Sequence, residues 1–209
     1  RSDLRLGREV AIKELLPRKR DAAQRFEQEA RVTARLQHPA IIHLYEAGVW
    51  PGGEPFYTMP RVVGRSLDAV VAERATLAER LGLLPNVIAV ADALAYAHSE
   101  RVMHRDLKPA NVLVGEFGET VVIDWGLAKD LRGPHDGSGE IALTEDEGGI
   151  AGTPAYMAPE QARGRRVDER TDVYALGALL YTVLVGVAPY TDTTARRVLE
   201  RVLAGPPPP

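Results

Sequence analysis

Apolar and polar residues alternate over Glu9–Leu15, with Val10 and Ile12 on one side and Ala11 and Lys13 on the other. That period of two predicts a β-strand behind the turn Leu6-Gly7-Arg8. From Ala22 to Leu36 the period lengthens, and Phe26, Ala30, Val32 and Leu36 recur at near-helical spacing. A helix is predicted there, capped by Asp21 and ended by His38-Pro39, with Glu29 beside the Ala30 face. Ile41–Val49 and Pro55–Val62 predict two strands joined by a Pro51-Gly52-Gly53 turn. The opening third of the chain is therefore expected to form a small sheet with one helix. After Ser66 the pattern becomes helical: a short helix over Leu67–Arg74, then a longer one ending at Ser99. The stripe of the longer helix is Val87, Val90, Ala91, Leu94 and His98, and Pro85 marks its first turn or a kink. Val112–Val114 and Thr120–Ile123 predict a hairpin around Gly115–Gly118, and the aperiodic, Gly- and acid-rich Asp130–Gly152 predicts a long loop. Val173–Thr191 carries no charge between Asp172 and Asp192. It is read either as a membrane span or as the buried axis of a larger helical domain, and Gly177, Gly186 and Pro189 favour the second. A last helix over Thr193–Ala204 should stop at Gly205, before four prolines.

Composition narrows the function classes. The chain has 209 residues, 45% apolar and 26% charged, which suffices for a packed core and excludes disordered and collagen-like classes. With 26 basic against 29 acidic residues the formal charge is −3, so no bulk field favours nucleic acid or an anionic membrane, and neither is expected as a partner. Any phosphate site must be local. The absence of cysteine removes disulfides, thiolate metal sites and thiol nucleophiles and fits a reducing cytosol. Arg1-Ser2-Asp3 opens no apolar stretch of the signal-peptide kind, and no internal repeat is evident.

The densest chemistry is His104-Arg105-Asp106-Leu107-Lys108-Pro109-Ala110-Asn111, followed eighteen residues after Asp106 by Asp124-Trp125-Gly126. With Val10-Ala11-Ile12-Lys13, Glu29 and Ala158-Pro159-Glu160 in this order, the chain resembles Hanks-type serine/threonine protein kinases, with a flavour similar to bacterial members. The resemblance covers nearly the whole length. It implies an α+β, two-lobed fold, with residues 1–62 in a sheet-plus-helix lobe and 63–209 in a mostly helical one. It also implies transfer of the γ-phosphoryl group of ATP, with Mg²⁺, to Ser/Thr hydroxyls of protein substrates in the cytoplasm, and a homodimer as one route to autophosphorylation.

The chemistry suits the residue types. Phosphoryl transfer depends chiefly on alignment and on neutralising phosphate charge, so cations and carboxylates must converge. By the resemblance, Lys13 serves the α and β phosphates and Glu29 holds its ammonium. Asp106 accepts the proton of the attacking hydroxyl, Lys108 binds the γ-phosphate, and Asn111 and Asp124 offer Mg²⁺ hard oxygen ligands. Each has a plain alternative: a surface lysine, a solvated helix glutamate, or turn-capping Asp and Asn side chains. Those alternatives lose force as the residues accumulate in order. The resemblance also implies Met59 as gatekeeper, the Pro60 carbonyl and Val62 N–H as adenine contacts, and Ala11 and Leu113 on either face of the ring. The same two residues also read as plain core. Thr153 would bridge Asp106 and Lys108, or be an ordinary turn threonine. His104 is expected to pack under Trp125, and Asp172 to anchor the catalytic-loop backbone.

Four departures are visible. Twelve residues precede Lys13 with Gly7 the one glycine among them, so the family's Gly-rich phosphate loop is missing and the chain is expected to be a fragment with little activity of its own. Glu160 is expected to lack its usual arginine partner. Trp125 stands where Phe is usual, and Thr33 where an apolar helix residue is usual. The alternative function is a nucleotide- or partner-binding scaffold without transfer. For control, Arg105 is expected to meet an anion from the 127–157 loop. That anion is a phosphate on Thr144 or Ser138, or the unmodified carboxylate of Glu147.

Overall fold

Strand formation at the N-terminal end follows the alternation closely. The structure, a computed structural model, describes residues 2–3, 7–15, 20–131, 143–144, 149–150 and 153–207. Strand β1 (Ser2–Asp3) pairs with β2 (Arg8–Glu14). Helix α1 (Arg20–Arg35) follows, then β3 (Glu46–Val49) and β4 (Pro55–Pro60), giving an antiparallel sheet in the order β1-β2-β4-β3. Because α1 begins at Arg20, Asp21 lies inside its first turn and not at the N-cap position. Phe26, Ala30, Val32 and Leu36 are buried as the helical period requires. Phe26 and Ala30 pack on Tyr57 of β4, while Val32 and Leu36 join the main core.

The strand expected over Ile41–Val49 is shorter than predicted. Ile41 forms only an isolated bridge to Val122, whose N–H bonds the Ala40 carbonyl and whose carbonyl accepts from Ile42 N–H. The Ile41-Ile42 run is apolar because it is buried beneath the second half of the chain, and the strand proper starts at Glu46. Short runs of this kind cannot be told from strand by periodicity.

After β5 (Gly64–Ser66) come α2 (Leu67–Ala72), α3 (Leu77–Leu81) and α4 (Leu84–Ser99). Thr76 caps α3 through a reciprocal box with Glu79, so the long helical region is two helices and not one. Strand β6 (Val102–Met103), a 3-10 turn Pro109–Asn111, β7 (Val112–Gly115) and β8 (Thr120–Val122) lead to β9 (Lys129–Asp130). Strands β5, β7 and β8 form one antiparallel sheet, and β6 pairs with β9. The predicted hairpin is present; β5, β6 and β9 are too short to carry a period. Two short strands, β10 (Leu143–Thr144) and β11 (Gly149–Ile150), pair with each other.

The chain ends in α5 (Pro159–Ala162), α6 (Glu169–Val185) and α7 (Ala195–Ala204). The uncharged run is not one helix: α6 stops at Gly186, which takes φ +89°, and the rest turns through Pro189. Nor is it buried all round, since Leu179 and Val183 are fully enclosed while Val173 is 60% exposed. By length and composition, the stretch among the described residues that could cross a membrane is instead Leu77–Ser99. Its Val90, Ala93 and Ala97 are fully buried in the core. The architecture is α+β, with the main core running from α1 through α4 and β8 to α6.

Candidate active site

Register decides what faces the interior of the first sheet. Lys13 lies opposite Tyr57 and Ala11 opposite Met59 across β2 and β4, so all four side chains share one face. Helix α1 runs under it, and Lys13 Nζ donates to Glu29 Oε1 at 2.6 Å. Glu29 is buried, and the same oxygen accepts the Tyr57 hydroxyl at 2.6 Å. Burial, together with the Glu29 carboxylate it bonds, pushes the Tyr57 phenol far above its ordinary range, so it stays a donor. One turn on, the Thr33 hydroxyl donates to the Glu29 carbonyl at 2.8 Å. Its polar atom is therefore satisfied within the helix.

The third partner of this cluster comes from far along the chain. Asp124, at φ +62°, turns Oδ1 to 3.4 Å from Lys13 Nζ. Gly126 makes the approach feasible, since a Cβ there would sit 3.2 Å from both Asp124 Oδ1 and Glu29 Oε2.

Residues 104–111 form a second cluster between β6 and β7. Lys108 Nζ donates to Asp106 Oδ2 at 2.7 Å, and Asn111 Nδ2 reaches the Asp106 carbonyl at 2.9 Å and Oδ2 at 3.3 Å. The loop is held from below by Asp172, which is fully buried in α6. Its Oδ2 accepts His104 N–H at 2.9 Å and a bond with His98 Nε2 at 2.8 Å, and its Oδ1 accepts Arg105 N–H at 2.8 Å. Burial alone would raise the Asp172 pKa, but these donors outweigh it and hold the carboxyl below its ordinary value. Gln161 Nε2 donates to the Arg105 carbonyl at 2.8 Å, so Arg105, at φ +66°, is pinned on both backbone groups. His104 stacks at a tilt on Trp125 with centroids 4.6 Å apart. Its Nδ1 accepts Asp106 N–H, which leaves the proton on Nε2, facing the Ile123 carbonyl. Trp125 is buried with its Nε1–H unpaired among the described residues.

A cavity of about 390 Å³ opens beside the Lys13, Glu29 and Asp124 cluster, and Asp106, Lys108 and Asn111 are not among the residues that line it. Every residue expected around the adenine lines it: Ala11, Met59, Pro60, Val62 and Leu113. So do Lys13, Glu29, Asp124 and Trp125. For a divalent cation, Asn111 and Asp124 form a hard-oxygen donor set. The Asn111 amide nitrogen is spent on Asp106, and its oxygen accepts no hydrogen bond among the described residues. The donors present fit Mg²⁺.

Some expectations turn out differently. Thr153 comes to Arg105, Asp106 and Leu107 around a small void of about 10 Å³, but among the described residues its hydroxyl bonds neither Asp106 nor Lys108. Glu160, expected to lack its usual arginine partner, takes a neutral donor instead: it accepts the Thr171 hydroxyl at 3.0 Å. Ser138 and Glu147 lie outside the described residues, as does the side chain of Thr144. Tyr57, Gln161 and His98 take part in the site without a motif to announce them. Only the β2–β4 register could have flagged Tyr57, as the residue opposite Lys13.

The geometry agrees with comparisons to known proteins. Residues 3–205 match the family described as "Protein kinase domain". "Serine/threonine-protein kinase PknD" of Chlamydia trachomatis is 37% identical over 209 residues, covering 88% of this chain and 22% of the relative. PknD of Protochlamydia amoebophila is 37% identical over 211 residues, covering 90% of this chain and 21% of the relative. "Serine/threonine-protein kinase PknB" of Mycolicibacterium smegmatis is 37% identical over 215 residues, covering 99% and 33%. The chain spans about a fifth to a third of the length of these curated relatives.

Proposed function

Because the chain belongs to the protein kinase domain family, we propose that it transfers the γ-phosphoryl group of ATP to serine and threonine hydroxyls of protein substrates. The observation that carries this reading is the meeting of Lys13, Glu29 and Asp124, from strand, helix and loop, at the rim of a cavity whose other walls suit a flat apolar ring. Lys13 supplies positive charge to phosphates, and Glu29 fixes its position. Asp106 takes the hydrogen bond, then the proton, of the attacking hydroxyl, and Lys108 beside it steadies the transferred group. Asn111 and Asp124 would hold Mg²⁺, which when bound neutralises phosphate charge. Leu113 and Ala11 would enclose the adenine, with Met59 behind it and Pro60 and Val62 offering backbone groups. Thr153 and Arg105 would face the peptide side. The scaffold alternative is not favoured, since the curated relatives are named serine/threonine-protein kinases.

The reading assigns the domain to the cytosol, where ATP is available. It includes autophosphorylation between two copies, with Thr144 or Ser138 as acceptor. The test is transfer of radiolabelled phosphate from Mg-ATP by the full-length protein. Label on serine or threonine that disappears with Asp106→Asn and on chelation of Mg²⁺ supports it. Label insensitive to Asp106→Asn, or none above background, overturns it.

A further inference from the structure

We propose that Tyr57 is a positioning residue of the nucleotide site, fixing the Glu29 carboxylate on Lys13 through its hydroxyl. The proposal rests on the kinase reading for its kinetic readout but not for its structural one. Lys13 and Tyr57 are cross-strand partners in β2 and β4, and both place a donor 2.6 Å from the same oxygen, Glu29 Oε1. Their situations differ. The Lys13 side chain is 39% exposed and has a second carboxylate, Asp124, within reach. Tyr57 is 4% exposed, and its ring is clamped against Phe26 of α1 with centroids 5.0 Å apart.

A buried carboxylate that depended on Lys13 alone would be under-compensated whenever the ammonium turned towards phosphate. The Tyr57 hydroxyl is the steadier donor, since its ring is buried and held against Phe26, and its raised pKa keeps it protonated across any working pH. It thus holds the Glu29 rotamer, and with it the middle turn of α1, whether or not a nucleotide occupies the cavity. Without it, Glu29 Oε1 keeps one mobile partner, and Lys13 is located less sharply over the phosphates. No charge is lost, so the effect falls on placement.

Tyr57→Phe removes the hydroxyl alone and keeps the ring on Phe26. Steady-state transfer by the full-length protein, varied in Mg-ATP, should show kcat/KM lowered about tenfold, mostly through KM, as for a lost hydrogen bond to a charged group. In a Glu29→Gln background the same substitution should add little, because the two changes act through one contact. Amide hydrogen exchange over residues 26–33 without nucleotide should speed up in Tyr57→Phe, a readout that needs no activity. Unchanged exchange in Tyr57→Phe overturns the proposal even if the protein transfers no phosphate. Unchanged KM with normal transfer overturns it while leaving the kinase reading intact. An equal loss of kcat in both Glu29 backgrounds assigns Tyr57 to packing and also overturns it.

Discussion

Asp106 sits in a 3 Å cage: Lys108 and Asn111 both donate to Oδ2, and His104 receives its N–H. Such a carboxylate is oriented before any substrate arrives, and its removal should act on rate and not on nucleotide binding. Asp106→Asn is expected to lower kcat about 10²- to 10⁴-fold, the usual weight of a positioned base, with the Kd for Mg-ATP by calorimetry unchanged. Gly126 is sensitive for a steric reason. In Gly126→Ala the new methyl presses on Asp124 and Glu29 together, so the two carboxylates around Lys13 must part by a few tenths of an ångström. A roughly tenfold fall in kcat/KM with little change in Tm is expected, since small misplacements at a reacting centre are costly. These charged residues were legible in the sequence because each belongs to a short motif whose chemistry needs that side chain. Tyr57 was not, because nothing local distinguishes a tyrosine that bonds a buried carboxylate from one that fills a core.

At the scale of elements, α1 is the part whose position matters most, since it carries Glu29 and touches four neighbours. Phe26 docks it on β4, Glu29 joins it to β2, and at its last turn Arg35 pairs with Asp130 of β9 and reaches the Glu100 carbonyl after α4. The Arg35–Asp130 pair therefore links the helix to the strand that leaves Asp124-Trp125-Gly126. Both side chains are partly exposed, so the coupling measured by a Tm-based double-mutant cycle should be about 0.5–1 kcal/mol. The exchange Arg35→Asp with Asp130→Arg should recover part of it, whereas either single change should not. The helices were readable from their periods to within a few residues. The short strands β5, β6 and β9 were not, because two or three residues hold no period and form only where a partner strand lies alongside.

Across the whole molecule, Asp172 is where α4, the 104–105 backbone and α6 are tied into one unit. Its carboxyl is held below the ordinary value of 3.8, so the folded state prefers it ionised. The stability it contributes is complete above that value and fades as pH falls through the lower folded pKa. Asp172→Asn should therefore lower stability by on the order of 2 kcal/mol, with a Tm deficit that is flat from about pH 5 to 8 and shrinks below about pH 4. A deficit that instead grew on acidification would contradict the assignment. By itself the sequence determined the principal helices and strands, the family resemblance and the candidacy of Lys13, Glu29, Asp106, Lys108, Asn111 and Asp124. All of these are carried by periods and motifs that span a few residues. Only the tertiary structure decided that Tyr57 shares Glu29 with Lys13, that Ile41 belongs to the core and not to a strand, and that the Thr153 hydroxyl approaches Asp106 without bonding it. Contacts such as Asp172 to Arg105, 67 residues apart, depend on register and on how the chain closes, and local patterning carries no information about either.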